Sequence, residues 1–233
     1  MEKQFRDRTE AGRLLAERLI KYVKRADVLV LALPRGGVPV AFEVARALDA
    51  PLDVLIVRKL GVPGHKELAM GAIASNGVRV LNDDVMQMLG IPDEVIEAVA
   101  AREQQELERR EHLYRRDRPA FDVHGRTIIL VDDGIATGAT MHAAVAVLRK
   151  QQPARIVIAV PTSSPSTAEE FAAEVDEVVC VIKPEPFLAI SYWYKHFSQT
   201  TDSEVCDLLA EFDRLFAAGS KGHMPAAEEG GKK

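Results

Sequence analysis

Cysteine is nearly absent: Cys180 and Cys206 are the only two in 233 residues, far apart and in no C-x-x-C spacing. A disulfide scaffold and a zinc site built on paired thiols are thereby excluded, and buried, reduced thiols are expected. Aromatics are scarce, with one Trp, four Tyr and eight Phe. No stretch approaches the roughly 20 apolar residues of a membrane span, and the start from Met1 to Arg8 lacks an apolar signal core. Positive charge is not in excess, since 30 Lys and Arg face 35 Asp and Glu for a net charge of −5. That balance gives no drive toward nucleic acid or an anionic membrane, so a phosphate ligand has to be held by local geometry. There is no internal repeat, no G-x-x-x-x-G-K-[ST], and no G-x-G-x-x-G followed by an acid about 20 residues on. What remains, 47% hydrophobic and 28% charged, is expected to be a cytoplasmic globular chain with one sizeable core.

Apolar periodicity alternates between strand and helix. An amphipathic helix carrying Leu14, Leu15, Leu19 and Val23 precedes a strand from Val28 to Leu33, a helix from about Val40 to Leu48 and a strand from Leu52 to Val57. This is βαβ organisation and implies a parallel sheet. Asn76-Gly77 between two short apolar runs signals a tight hairpin. A charged helix is expected over 93–118, its acids early and its arginines late in accord with the helix dipole, and its face is read as solvated. Strands from Arg155 to Val160 and Glu177 to Ile182 flank a helix near Thr167 to Ala173, and a last helix follows Thr201-Asp202. Residues 1–218 read as a single domain and 219–233, small and polar, as a disordered tail.

The most informative stretch is Thr127 to Thr140. Thr127 to Val131 is apolar and β-branched without alternation, the pattern of a parallel strand covered on both faces. Two acids, Asp132 and Asp133, end it. The loop Gly134, Ile135, Ala136, Thr137, Gly138, Ala139, Thr140 then opens a helix, so its N–H groups form an anion site. Carboxylates beside a phosphate repel it unless a spacer intervenes. A ribose would serve, its 2′ and 3′ hydroxyls meeting the two acids, and a divalent metal could share the position. A response-regulator receiver fits less well, because the next strand ends in Pro161-Thr162-Ser163-Ser164 and not in a phosphoacceptor Asp.

These residues resemble the signature of the type I phosphoribosyltransferase family: a hydrophobic strand, two acids and a Thr-Gly loop holding the 5′-phosphate of phosphoribosyl pyrophosphate (PRPP). The resemblance implies a doubly wound, mostly parallel α/β sheet flanked by helices, with a small C-terminal hood at about 184–201. It implies an Mg²⁺-dependent transferase with Asp132 and Asp133 as catalytic acids and as metal ligands, directly or through water. Pro34, Arg35, Gly36 and Gly37 match the family's pyrophosphate loop, which often contains a non-proline cis peptide. Arg58 and Lys59 would neutralise the leaving pyrophosphate. The Gly- and Pro-rich run Leu60 to Met70 reads as an irregular mobile lid, with Glu67 the nearest candidate for the general acid/base. Ala136 stands where the 6-oxopurine branch has an acid, so hypoxanthine and guanine are disfavoured as acceptors. Phe187, Tyr192, Trp193 and Tyr194 fall where family members build the acceptor hood; the same aromatics would equally make a small satellite core under the last helix. From Phe5-Arg6-Asp7-Arg8 to the final helix the chain is most similar to the family's uncharacterised branch. The expected partners are PRPP and a small nitrogenous acceptor, with no nucleic acid and no membrane, and a homodimer is admitted. A PRPP-sensing module without turnover is the alternative.

Overall fold

A computed structural model describes residues 4–75, 77–115, 118 and 121–221, with backbone alone at 66, 67 and 219–221. In chain order the elements are α1 (Arg8–Arg18), a 3₁₀ turn (Ile20–Tyr22), β1 (Val28–Ala32), α2 (Gly37–Leu48), β2 (Leu52–Val54), β3 (Val57–Val62), β4 (His65–Ala74) and β5 (Arg79–Leu81). There follow α3 (Asp83–Leu89), α4 (Asp93–Arg115), β6 (Thr127–Val131), α5 (Ala139–Lys150), β7 (Arg155–Thr162), α6 (Pro165–Glu174), β8 (Glu177–Ile182), a 3₁₀ turn (Ile190–Trp193) and α7 (Asp202–Lys221). No helix among the described residues is long and apolar enough to cross a membrane.

The central sheet has five parallel strands in the order β2-β1-β6-β7-β8. Both faces are covered, which is why the strands read as unbroken apolar runs. Val28, Val30 and Ala32 of β1 and Ile129 and Val131 of β6 enter a core shared with α1, α2, α4 and α7. Leu29, Leu31, Ile128 and Leu130 enter the opposite core with α5 and Phe171 of α6. Each fully buried Leu or Ile contributes about 1.5–3 kcal/mol, so both faces of the sheet stabilise the fold. The chain leaves β1 toward β2 on one side and returns to β6 on the other, so the loops after β1 and β6 diverge at a topological switch point.

Two expectations need correction. The run expected as one strand from 52 to 57 is split: β2 stops at Val54, and β3 starts a separate three-stranded antiparallel sheet, β3-β4-β5. The run read as an irregular lid is a hairpin of that sheet. Its Gly and Pro sit at irregularities that a hairpin tolerates, Gly61 at a register shift and Pro63-Gly64 at the turn, where Gly64 takes φ +81°. The expected β4–β5 hairpin is present, with Gly77 at φ +76° and Asn76 outside the described residues.

The charged helix α4 is not simply solvated. Glu103 and Arg115 are buried, because Ile96, Ala100 and Leu107 seat the helix on Leu60, Val62 and Met70 of the hairpin. Its last expected turn differs as well: the helix ends at Arg115, 116 and 117 lie outside the described residues, and Arg118 pairs with Asp213 of α7. Helix α7 runs to Lys221, past the expected start of the tail, and 222–233 lie outside the described residues. Cys180 and Cys206 are reduced thiols, half-buried where burial was expected.

Candidate active site at the switch point

The loops after β1 and β6 meet at the carboxyl end of the sheet. Leu33 N–H donates to Val131 O at 2.9 Å, carrying the β1–β6 pairing to the loop mouth. The Pro34–Arg35 peptide is cis, as expected from the resemblance. Gly36 and Gly37 then pass so close to β6 that side chains are excluded. A Cβ at Gly37 would lie 2.7 Å from Val131 O and 2.9 Å from Asp132 Cα, and one at Gly36 would lie 2.1 Å from Asp133 Oδ2. Backbone can therefore approach the acids from the Pro34–Gly37 side.

On the other side, the N–H of Ile135 is not available to a ligand, because it donates to Thr162 O at 2.9 Å. That corrects its place among the phosphate donors. The backbone N–H groups from Ala136 to Thr140 have no acceptor among the described residues, and they precede α5, whose first captured amide is His142 N–H on Gly138 O at 2.8 Å. Unpaired N–H groups at a helix start form an anion cradle. Gly138 is required there twice over: its φ is +73°, and a Cβ would lie 2.8 Å from Phe171 Cε2. Ala136, Thr137 and Thr140 are exposed at the mouth. Gly134 is packed against Ile190 and Thr162 and supports the loop from beneath.

The two acids occupy different environments. Asp132 is half-buried and its Oδ1 accepts Asp133 N–H at 2.8 Å. Burial, and then the adjacent Asp133 carboxylate, push its carboxyl well above the ordinary range. Asp133 is buried, and Arg8 donates to its Oδ2 from Nε at 2.8 Å. Burial raises the Asp133 carboxyl while the Arg8 guanidinium opposes the rise. In the sequence Arg8 stands only in the Phe5-Arg6-Asp7-Arg8 start, with no role assigned, and no local signal pairs it with Asp133, 125 residues away. Asp7 caps α1 by accepting Glu10 N–H at 2.8 Å, which sets Arg8 as the first helical residue.

Around this edge, the remaining candidates divide. Arg35 lies 3.6 Å from Asp202 of α7. Arg58 is held by Glu103, with Nε donating at 2.8 Å, whereas Lys59 makes no ion pair among the described residues. Lys59 and Thr140 line a cleft of about 530 Å³, together with Arg58, Arg102, Glu103 and the Pro63-Gly64 turn. Glu67 lies in β4 and its side chain is outside the described residues. Of the hood aromatics, Trp193 and Tyr194 are buried, Phe187 packs beside them half-buried, and Tyr192 is 53% exposed. They form a satellite core on Phe5 and Ala11, so the segment is tied to the N-terminus and not to α7. Phe5 N–H donates to Trp193 O at 2.9 Å and Lys195 N–H to Phe5 O at 2.8 Å. Tyr194 Oη donates to Asp133 O at 2.6 Å, fastening that core to the site.

The profile of the phosphoribosyl transferase domain family matches residues 3–190. The chain belongs to the phosphoribosyltransferase family. Two proteins of Mycobacterium tuberculosis, from strains CDC 1551 / Oshkosh and ATCC 25618 / H37Rv, carry provisional phosphoribosyl transferase names and are each 50% identical over 215 residues. Those residues are 92% of this chain but 48% of the relatives, so the chain spans about half the length of the curated relatives it matches. Among solved structures, the crystal structure of TT1426 from Thermus thermophilus superposes with a TM-score of 0.82 at 44% identity, covering 90% of this chain and 99% of that one. The doubly wound sheet with the switch point between β1 and β6 is thus the phosphoribosyltransferase fold.

Proposed function

We propose that the chain transfers the 5-phosphoribosyl group of PRPP to a nitrogen of a small, heterocyclic acceptor and releases pyrophosphate. The observation that carries this reading is the contact of the two loops at the switch point, where Gly36 and Gly37 press against Asp132 and Asp133. A ligand with phosphate at one end, pyrophosphate at the other and a diol between them matches that arrangement. The free N–H groups from Ala136 to Thr140, with the Thr137 and Thr140 hydroxyls, hold the 5′-phosphate. Asp132 accepts ribose hydroxyls. The N–H groups of Arg35 and Gly36, with Lys59, which makes no ion pair among the described residues, receive the pyrophosphate, while the Gly37 N–H is already taken by Leu33 O at 3.1 Å. In the reaction the C1–oxygen bond breaks with its electron pair leaving on pyrophosphate, the acceptor nitrogen bonds to C1, and the acceptor gives up a proton. The hairpin β3–β4 and the satellite core keep water from the electrophilic carbon.

The acids suit a hard cation. A carboxylate half open to solvent, beside substrate oxygens, is the donor set magnesium takes, since it keeps several waters and uses one or two carboxylates. Asp132 would hold it, and its charge would help the pyrophosphate leave. Ala136 offers no acid to a ring proton, so adenine or a non-purine base is a better acceptor than hypoxanthine or guanine. We place the reaction in cytoplasmic nucleotide metabolism.

One observation favours a second reading, PRPP sensing without turnover: Trp193 and Tyr194 are in the satellite core, leaving Tyr192 as the exposed aromatic of that segment. Incubation with PRPP, Mg²⁺ and a panel of nucleobases, following pyrophosphate release, separates the two. Base-dependent release is expected; PRPP binding with no release from any base would leave the sensor.

A further inference from the structure

We propose that Arg8 is a positioning residue that makes the two acids unequal: Asp132 alone faces the ribose hydroxyls, while Asp133 is committed to Arg8. This rests on the site binding PRPP. Both Nε and Nη2 of Arg8 lie 2.8 Å from Asp133 Oδ2, with the side chains 12% and 11% exposed. The guanidinium is fixed on two further sides. Its Nη1 donates to Ser198 O at 2.7 Å, and its carbon sits 4.0 Å over the Phe197 ring. Asp133 is closed in from the other direction by Gly36, where even a Cβ would come within 2.1 Å of Oδ2, so a ribose hydroxyl finds no room at that oxygen. Its Oδ1 has no partner among the described residues but lies under the same loop, 3.2 Å from where a Cβ at Gly36 would stand, in a buried side chain, whereas Asp132 uses Oδ1 for the Asp133 N–H and keeps Oδ2 unpartnered in a side chain only half-buried.

The charge balance explains why the arrangement is useful. Two bare carboxylates would repel a polyanionic ligand, whereas two carboxylates and one buried guanidinium leave a single net negative charge, carried by the acid that faces the ligand. Only a guanidinium can face a carboxylate with two N–H groups, donate to a carbonyl with a third and stack on a ring at once, so Lys is not an equivalent. Through Asp133, Arg8 also places the β6 loop relative to the segment 194–198, because Tyr194 holds the backbone of the same residue.

The test is a set of six proteins: wild type, D132N, D133N, R8M, R8K and the double variant R8M/D133N. For each, the melting temperature and the affinity for PRPP with Mg²⁺ are measured, the latter by calorimetry, and inorganic phosphate is the probe for the loop alone. D132N is expected to weaken PRPP by about tenfold or more, the loss of a hydrogen bond to a charged group, with an unchanged melting temperature. R8M and D133N each lower the melting temperature and weaken PRPP, because each buries an unpaired charge. The double variant recovers both towards wild type while R8K does not, and phosphate affinity is the same throughout. A double variant that binds PRPP no better than D133N would mean Asp133 touches the ligand, and R8M with wild-type affinity would mean Arg8 positions nothing; either overturns the proposal. If wild type fails to bind PRPP, the functional reading falls, and additivity of the R8M and D133N melting shifts would then also overturn the pairing.

Discussion

At the scale of single residues, the site depends on side chains that are missing as much as on those present. Gly37 is the sharper case, because a Cβ there meets the Val131 carbonyl and the Asp132 Cα, backbone atoms of a central strand that cannot yield. Gly37→Ala is expected to cost about 1–3 kcal/mol, the range for forced overpacking, and to lower PRPP affinity; equilibrium urea unfolding with the same calorimetry checks it. At the far end of β6, a different acid shows how a carboxylate can be held ionised. Asp27 bonds first with Arg25 and then with the Thr127 hydroxyl, which together bring its carboxyl down to about 2. A depressed carboxyl stabilises the fold above its unfolded value, about 3.9, and that contribution is lost as pH falls from there through about 2. The Asp27 side chain is 43% exposed, so screening limits the effect to at most about 1 kcal/mol. Urea midpoints of wild type and Asp27→Asn should differ at pH 6 and converge by about pH 2.

Among the elements, the β3–β4 hairpin and α4 form one unit. Glu103 is its hinge of charge: burial raises its carboxyl, but Arg102 and Arg58 together bring it below the ordinary value. Arg58 thereby anchors the hairpin to α4, while Lys59, beside it on the cleft, makes no ion pair among the described residues. Removing the carboxylate in Glu103→Ala frees two arginines and loosens the hairpin locally. Amide hydrogen exchange over 57–74 is expected to accelerate while exchange in β1 and β6 stays unchanged, since low-stability units open independently of the core. Helices α5 and α6 are joined by a comparable device. His142 meets Glu174 through Nδ1 at 3.1 Å and Glu170 through Nε2 at 3.3 Å while stacking on Phe171, the ring that underlies Gly138. The loop between β6 and α5 is thus braced through α6 as well as through its own helix.

For the whole molecule, stability and site geometry share a framework. Ile129 is fully buried at the centre of the sheet. Ile129→Ala should cost about 2–5 kcal/mol through lost burial and the cavity left behind, lowering the urea midpoint without changing the ratio of PRPP to phosphate affinity. The opposite edge is tied by charge. Arg115 lies 3.2 Å from Asp53 of β2, and burial raises the Asp53 carboxyl against the pull of Arg115. Arg118 reaches both Asp53 and Asp213 of α7. Arg115 at the end of α4 and Arg118 beyond it, in a run whose sequence suggested solvent, clamp α4 and α7 to the edge strand.

Much of this was legible in the sequence, and the reason is locality. The strand, acids and loop from Thr127 to Thr140 are contiguous, so periodicity and residue type mark the strand-loop-helix whose unpaired N–H groups open α5, and Pro34 to Gly37, contiguous in the same way, marks the loop that meets it. The parallel sheet was readable because strands covered on both faces carry no polar alternation. The hairpin from Val57 to Ala74 was not, because Gly and Pro at a bulge and a turn look like an irregular loop until a partner strand pairs with them. The burial of α4 was hidden as well: charged residues look solvated until their counterions are known. Tertiary structure alone decided that Ile135 gives its N–H to Thr162, that Trp193 and Tyr194 pack on Phe5, and that Arg8 meets Asp133. Each joins segments distant in sequence, and a pairing set by how a sheet edge brings chain ends together leaves no periodic trace in the residues that make it.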